Sequence, residues 1–191
     1  MMTVMSRRAV FLDKDGTLIE NVPYNTDPAK IRLMAGAANA VRMIHSQGYQ
    51  IVVVTNQSGV ARGIFKEEAI EGTEKAIQEI LLRESDAQLD GFYYCPHHPD
   101  GVVEKYAVSC TCRKPQPGMF FQASCDLLIH LERSWMVGDI LDDIEAGNRA
   151  GCRTILLDNG NETEWQLTPD RIPDYYAANM TEAAELIMAF G

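Results

Sequence analysis

The chain has 191 residues, of which 46% are hydrophobic and 23% charged, as is typical of a globular protein with a substantial core. Its 17 Lys and Arg and 27 Asp and Glu give a formal net charge of −10, which argues against general binding of nucleic acid or of an anionic membrane. The first eight residues lack the apolar run of a secretory signal, and no apolar stretch approaches the about 18 residues of a membrane span. We therefore expect a cytoplasmic monomer with one domain over residues 1–191, whose five cysteines are metal ligands or buried thiols rather than disulfides.

Strand-like and helix-like segments alternate along the sequence. Short apolar runs predict strands at about 8–14, 50–55, 91–94, 135–137 and 154–157, and a weaker one near 175–178. Helical patterns predict helices at 36–47 and 66–84, one opened by Pro117, one ending at Ala150, and a last one with Thr181 as N-cap. Such alternation predicts a doubly wound α/β fold, in which helices cover both faces of a parallel sheet.

Two segments between these elements lack a periodic pattern. Residues 16–34 are expected to form a loop or small flap over the end of the first strand, too short to be a large cap domain. Residues 95–117 form a second loop, rich in Cys, His and Pro. Outside these loops, Cys125 and Cys152 fit a helix face and a strand start, so we expect both in the core, together with Phe190 of the last helix.

The first strand ends in two aspartates and a glycine, Asp13, Asp15 and Gly16. Side chains at alternate strand positions point to the same side, so Asp13 and Asp15 can converge at the carboxyl end of the strand, where open α/β sheets bind ligands. Two carboxylates this close are stable beside a cation or with one of them protonated, which suggests a hard metal such as Mg²⁺. A solvated Asp-Gly turn is the alternative interpretation.

Three further polar segments follow predicted strands or loops. Thr55 closes the second strand before Asn56-Gln57-Ser58-Gly59, where a hydroxyl and free backbone N–H groups suit phosphate oxygens, although a capping Thr would look the same. Arg113-Lys114-Pro115 offers two cations to an anionic ligand, or forms a solvated basic pair. Asp139 closes the fourth strand as a candidate metal ligand, while Asp142 and Asp143 are either part of the site or first-turn acids favoured by the helix dipole.

These four segments resemble, in order, the motifs of the haloacid dehalogenase (HAD) superfamily of aspartate-nucleophile phosphatases. The resemblance covers nearly the whole chain and implies that Asp13 is the nucleophile and that Asp15 is the general acid and base. It also implies that Thr55 and Lys114 stabilise the phosphoryl group. Mg²⁺ would be held by Asp13, by Asp139 and by the backbone carbonyl of Asp15.

The loop at about 95–112 contains the pattern C-x-H-x12-C-x-C, made by Cys95, His97, Cys110 and Cys112. Three thiolates and one imidazole are a typical closed, tetrahedral shell for structural Zn²⁺. The loop has few apolar residues of its own that could order it, so a bound metal is expected to hold it in one conformation. Free thiols beside a solvated imidazole are the alternative, and His98 is an alternative ligand to His97.

The zinc loop and the segments LDKDGTL, VVVTNQSGVARG, YYCPHHP, CTCRKPQPGM and MVGD are similar to those of the D-glycero-D-manno-heptose 1,7-bisphosphate 7-phosphatase family. This similarity implies a small phosphorylated sugar as substrate, with removal of the 7-phosphate in the synthesis of a heptose of bacterial surface glycans. The family's substrate contacts correspond to Asn21, Val22, Pro23, Tyr24, Thr55, Asn56, Gln57, Ser58, Arg113 and Lys114. Some relatives carry Lys directly after the fourth-motif aspartate, where this chain has Ile140, so a phosphate contact from that position is not expected.

Three other functions compete with this interpretation. A related histidinol-phosphate phosphatase would use the same chemistry, although its zinc loop is typically shorter. A non-enzymatic phosphoacceptor or zinc-binding module would also have clustered aspartates but would need neither the general acid nor the zinc loop. A nucleic-acid end phosphatase would need a basic groove, against the charge of −10.

Overall fold

The computed structural model describes residues 7–191 and contains a six-stranded sheet in which every neighbouring pair is parallel. The strands are β1 (Arg8–Leu12), β2 (Tyr49–Asn56), β3 (Gly91–Cys95), β4 (Trp135–Gly138), β5 (Arg153–Leu157) and β6 (Tyr175–Ala177). Their order across the sheet is β3-β2-β1-β4-β5-β6. The winding direction reverses between β1 and β4, which is the position where sheets of this kind bind ligands.

Five α-helices cover the two faces of this sheet. They are α1 (Ala37–Ser46), α2 (Ala69–Ser85), α3 (Gly118–Leu127), α4 (Leu141–Ala150) and α5 (Met180–Phe190). Alternate strand residues face opposite sides, so Val10 and Leu12 pack in one core with α1, α2 and α5, whereas Phe11 packs with Phe120 of α3 and Ala146 of α4 in another. The predicted doubly wound α/β fold is confirmed.

The segments between the elements contain little regular structure. Residues 16–34 hold one 3₁₀ turn, Pro28–Lys30, and short bridges that join Ile19 to Asp15 and to Leu33. Three more 3₁₀ turns lie at Glu104–Tyr106, Leu131–Arg133 and Pro169–Arg171. Within residues 7–191, no helix has the length and apolar character that a bilayer span requires.

Some local predictions were wrong. The first strand ends at Leu12 rather than at residue 14, because the chain turns immediately after Asp13. The N-cap of α5 is Asn179 rather than Thr181, since its side-chain oxygen accepts the backbone N–H of Glu182. Asn179 has the extended backbone that a cap requires, whereas Thr181 already lies inside the helix.

Two side chains predicted to be in the core are exposed. Cys125 lies on the face of α3 opposite to the one that buries Met119, Phe120 and Ala123. Phe190 stays 53% exposed at the end of α5, where its ring stacks on that of Tyr175 with centroids 5.1 Å apart. The other lone cysteine, Cys152, is buried as predicted.

Candidate active site

The carboxyl ends of β1, β2 and β4 bring the first, second and fourth polar segments to one edge of the sheet. Asp13 directly follows β1, Thr55 lies near the end of β2, and Asp139 directly follows β4. All three side chains belong to buried residues. This convergence follows from the parallel strand order, since strands side by side end at the same edge.

Lys114 reaches this edge from the loop that precedes α3. Its Nζ lies 2.5 Å from Asp13 Oδ1 and 2.6 Å from an Asp143 carboxylate oxygen, and it donates to the backbone oxygen of Val54 at 2.9 Å. Burial opposes the charged form of Lys114, but the two carboxylates outweigh it and hold the pKa above its ordinary value. The ammonium group is therefore fixed in place and stays protonated.

The backbone of Lys114 is also held in place. Asn56, the residue after Thr55, accepts the Lys114 backbone N–H with Oδ1 and donates Nδ2 to the Lys114 backbone oxygen, each at 3.0 Å. On the same loop, Gln57 donates its side-chain amide to the hydroxyl of Thr55 at 2.9 Å. The second and third segments therefore form one hydrogen-bonded unit.

Three buried carboxylates surround this lysine. Ligand oxygens of Asp13, Asp139 and Asp143 all lie within 4.8 Å of one another. Burial, reinforced by the neighbouring carboxylates, raises the pKa of Asp139 to about 8. Burial likewise raises the pKa of Asp143 to about 7, with Lys114 opposing the shift. One ammonium does not balance three carboxylates, so this donor set fits a hard divalent cation.

Asp142 and Asp143, whose roles the sequence left open, have different partners. Asp143 is fully buried, contacts Lys114, and also accepts the backbone N–H of Ile140 at 3.3 Å, at the start of α4. It therefore combines a place in the acidic cluster with a helix-capping bond. Asp142 instead pairs with Arg171 at 2.6 Å, away from the cluster.

Asp15 lines a cavity next to the cluster. Its carboxylate accepts a bond from Lys14 Nζ at 2.8 Å and lies 3.5 Å from the side-chain nitrogen of Gln57. Burial raises the pKa of Asp15, with the charge of Lys14 opposing the shift. The cavity has a volume of about 260 Å³ and is lined by Lys14, Asp15, Pro23, Tyr24, Asn25, Asn56, Gln57, Ser58, Gly59 and Phe65.

The structure brings half of the ten predicted substrate contacts to the lining of this cavity. Pro23 and Tyr24 line it from residues 16–34, opposite Asn56, Gln57 and Ser58. Asn21 and Val22 are exposed and do not belong to its lining. Arg113 is outside the lining too, and its guanidinium lies 3.4 Å from the backbone oxygen of His97.

The predicted zinc ligands form a second cluster. Sγ of Cys95, Cys110 and Cys112 lie 3.0–3.5 Å apart, and Nδ1 of His97 lies 3.6 Å from Cys95 Sγ and 3.4 Å from Cys112 Sγ. A tetrahedral shell with Zn–S bonds of about 2.3 Å would have S···S edges of about 3.8 Å, so the donors lie close to the arrangement that such a metal requires. The hydrogen bonds that link Cys112 with Cys95, His97 and Cys110 lower the pKa of Cys112 to about 5, although burial opposes the shift.

His98, the alternative ligand, is turned away from this cluster. Its Nδ1 accepts the backbone N–H of Asp100 at 3.1 Å, and its Nε2 lies 3.0 Å from a guanidinium nitrogen of Arg62. Among residues 7–191, the four-donor Cys and His cluster therefore contains His97 rather than His98.

The sequence interpretation missed residues 158–162, which follow β5. Asn161 donates its amide to Asp139 Oδ2 at 2.7 Å, and Asn159 donates to the backbone oxygen of Gly16 at 2.8 Å. A polar run, Asp-Asn-Gly-Asn-Glu, after a buried strand was the available signal. The polar run alone does not reveal that these residues reach Asp139. That contact requires β5 to lie beside β4, which depends on the strand order of the sheet.

A family model and curated relatives show which known proteins this chain is similar to. A family model described as HAD-hydrolase-like matches residues 111–183. D-glycero-beta-D-manno-heptose-1,7-bisphosphate 7-phosphatase of Escherichia coli O6:H1 is 44% identical over 149 residues, which are 78% of each chain. The Haemophilus ducreyi enzyme of the same name is 42% identical over 153 residues, which cover 80% of this chain and 84% of that protein.

Solved structures of phosphatases are also similar to this chain. A HAD-like phosphatase from Mesorhizobium loti is 36% identical and superimposes with a TM-score of 0.82, over 96% of this chain and 85% of that one. The D,D-heptose 1,7-bisphosphate phosphatase of B. bronchiseptica, complexed with magnesium and phosphate, is 25% identical with a TM-score of 0.77, over 96% and 99% of the two chains. The present chain is therefore a phosphatase and belongs to the heptose 1,7-bisphosphate 7-phosphatase family of the HAD superfamily.

Proposed function

We propose that this phosphatase uses Mg²⁺ and removes the 7-phosphate of D-glycero-β-D-manno-heptose 1,7-bisphosphate through an aspartyl-phosphate on Asp13. The observation that carries the proposal is the position of Lys114 Nζ, 2.5 Å from Asp13 and 2.6 Å from Asp143 at the carboxyl edge of the sheet. A buried ammonium in this place supports a carboxylate that must react with a phosphate dianion. The substrate and its β configuration are taken from the names of the curated relatives.

In the first step, a carboxylate oxygen of Asp13 would attack the phosphorus of the 7-phosphate. The bond from phosphorus to the sugar oxygen breaks, and its electron pair leaves with that oxygen. Lys114 would lower the repulsion between nucleophile and phosphate and stabilise the charge that develops in the transition state. Thr55, whose hydroxyl accepts a bond from Gln57, would donate its own proton toward a phosphoryl oxygen.

Asp15 would move the protons of both steps. Its raised pKa favours a protonated carboxyl that can donate to the leaving sugar oxygen. The resulting carboxylate would then accept a proton from the water that attacks the aspartyl-phosphate. This second step releases inorganic phosphate and regenerates the Asp13 carboxylate. The place of Asp15 in the wall of the 260 Å³ cavity supports this role.

The two donor clusters would hold different metals. Asp13, Asp139 and the backbone carbonyl of Asp15 would hold Mg²⁺, which when bound supplies positive charge at the nucleophile and the phosphoryl group. Cys95, His97, Cys110 and Cys112 would hold Zn²⁺ in a closed shell without an open position, as in structural sites. The last of these ligands directly precedes Arg113 and Lys114, so the zinc loop would help to position both cations.

Substrate preference is the direct test. The ratio kcat/KM would be measured with Mg²⁺ on the α and β anomers of the heptose bisphosphate, fructose 1,6-bisphosphate and histidinol phosphate. We expect the β anomer to be preferred by at least about tenfold, a difference that a few pocket contacts can provide. A preference for histidinol phosphate would contradict the proposed substrate, and absence of turnover on all four would contradict the whole proposal.

A further inference from the structure

Residues 158–162 belong to the acidic site, although no step of the proposed mechanism uses them. Asn159 Nδ2 donates to the backbone oxygen of Gly16 at 2.8 Å, and its Oδ1 accepts the backbone N–H of Asn161 at 3.2 Å. Three residues after Asn159, the Glu162 carboxylate accepts the backbone N–H of Leu141 at 2.6 Å. One short segment therefore bonds both to the turn after β1 and to the start of α4.

Asn161 makes the contact closest to the acidic cluster. Its Nδ2 donates to Asp139 Oδ2 at 2.7 Å, while the other oxygen, Oδ1, has only a long contact of 3.4 Å from the hydroxyl of Thr17. The oxygen Oδ2 is thus held by a short bond, and Oδ1 keeps most of its capacity to bind another partner.

Close packing fixes this arrangement. Gly16 has a φ of +87°, and a Cβ at that position would overlap Asp139 Oδ2 and lie 2.5 Å from Asn161 Nδ2. The backbone of the turn, the carboxylate of Asp139 and the amide of Asn161 are therefore in mutual contact. The Asp139 carboxylate has little freedom to rotate while Asn161 is in place.

We propose that Asn161 is a positioning residue of the cation site, whose amide holds Oδ2 of Asp139 so that Oδ1 faces a divalent cation. This role rests on the proposed function, because it presupposes that Asp139 is a cation ligand. A primary amide suits the task, since it donates to an ionised carboxylate and adds no charge that would compete with the cation. Removing a hydrogen-bond partner of a metal ligand typically weakens metal affinity by about 10–100-fold.

Two variants of Asn161 test this role. Asn161→Leu removes the donor at similar volume, and Asn161→Asp keeps the shape but replaces the donor with a repelling carboxylate. The matched control is Asn148→Leu, because Asn148 Nδ2 ties the backbone oxygens of Asp170 and Ile172 to α4 without touching an acid of the cluster. Mn²⁺ would be titrated into each substrate-free protein, with free Mn²⁺ followed by electron paramagnetic resonance, and kcat would then be measured at saturating Mg²⁺.

We expect wild type and Asn148→Leu to bind one Mn²⁺ with similar affinity, and Asn161→Leu to bind it about 10–100-fold more weakly. Asn161→Asp should bind at least as weakly, and kcat at saturating Mg²⁺ should stay close to that of wild type in the leucine variant. Equal Mn²⁺ affinity of all four proteins, with an active wild type, would overturn the role of Asn161 alone. A similar loss in Asn148→Leu would also overturn it, by assigning the effect to general loosening of the structure around α4 rather than to the contact with Asp139. A wild type without Mn²⁺ binding would overturn both this role and the proposed function.

Discussion

At the scale of single residues, loss of the charge of Asp13 should lower the catalytic rate more than loss of any other single charge. Asp13→Asn keeps the shape but removes the carboxylate proposed to attack phosphorus, which is also the ionic partner of Lys114 at 2.5 Å. We expect kcat to fall by at least about 10³, a loss typical of a catalytic group, and excess Mg²⁺ not to restore it. Steady-state hydrolysis of the heptose bisphosphate is the measurement.

The matched control for this change is Asp142→Asn. Asp142 lies in the same motif as Asp139 and Asp143, but its carboxylate pairs with Arg171 rather than with Lys114. Activity of Asp142→Asn should therefore stay near that of wild type. Near-normal turnover by Asp13→Asn would remove Asp13 from the role of nucleophile.

The second residue-scale prediction concerns Asp15 as a proton donor. A sugar alkoxide is a poor leaving group that needs a proton, whereas p-nitrophenolate needs little protonation. Asp15→Asn should therefore lower kcat on the sugar phosphate by about 10²–10⁴, with a much smaller loss on p-nitrophenyl phosphate. Parallel assays on both substrates would give the ratio, and equal losses on the two would mean that Asp15 serves only to hold the cation.

At the scale of elements, the zinc loop is expected to organise the residues that follow it. Cys110 Sγ lies 3.5 Å from Cys95 Sγ and 3.3 Å from Cys112 Sγ, so Cys110→Ser removes one of four donors. We expect loss of bound zinc, a lower melting temperature, and a higher KM because Arg113 and Lys114 are displaced. Elemental analysis, thermal unfolding and kinetics with excess Mg²⁺ would be measured together.

Cys125→Ser makes the same chemical change outside the cluster, because Cys125 is exposed on α3. This control should keep about one zinc per chain, as expected for a single four-ligand site, together with a normal melting temperature. Full activity and normal melting of Cys110→Ser without zinc would contradict the idea that a metal at this cluster organises the loop.

The strand ends were predictable from the sequence because their signals are local. Asp13, Thr55 and Asp139 each close a continuous apolar run, and parallel strands must end at a common edge. Asn161 also lies in a polar run after an apolar strand, but its contact with Asp139 depends on β5 lying next to β4, which the local pattern does not reveal. The burial of Cys125 was misjudged for a related reason: a short helix rich in apolar residues does not fix which face packs inward.

At the scale of the whole molecule, the acidic cluster should couple stability to pH when no divalent cation is bound. Burial is the main cause that raises the pKa values of Asp139 and Asp143 to about 8 and about 7, well above the ordinary range of a carboxyl. A carboxyl with a raised pKa in the folded state favours folding in its neutral form. Its stabilising contribution is therefore complete below about pH 4 and is lost as the pH rises through 7 and 8.

A bound divalent cation should reverse this loss by neutralising the ionised carboxylates. The increase in melting temperature caused by saturating Mg²⁺ is thus expected to grow between pH 5 and pH 8, in the range of the pKa values of about 7 and about 8. Thermal unfolding across that range, with and without Mg²⁺, would measure it. A Mg²⁺ effect that is constant or decreasing with pH would contradict the assignment of Asp139 to the cation site.

Which phosphate leaves the sugar is the most direct test of the proposed function. Phosphorus NMR on D-glycero-β-D-manno-heptose 1,7-bisphosphate, incubated with the enzyme and Mg²⁺, separates the 1-phosphate, the 7-phosphate and inorganic phosphate. We expect the 7-phosphate signal to disappear, inorganic phosphate to appear in equal amount, and the 1-phosphate to persist. When the Asp13→Asn variant replaces the wild-type enzyme, the spectrum of the substrate should stay unchanged. Loss of the 1-phosphate instead, or an unchanged spectrum with the wild-type enzyme, would contradict the proposed activity.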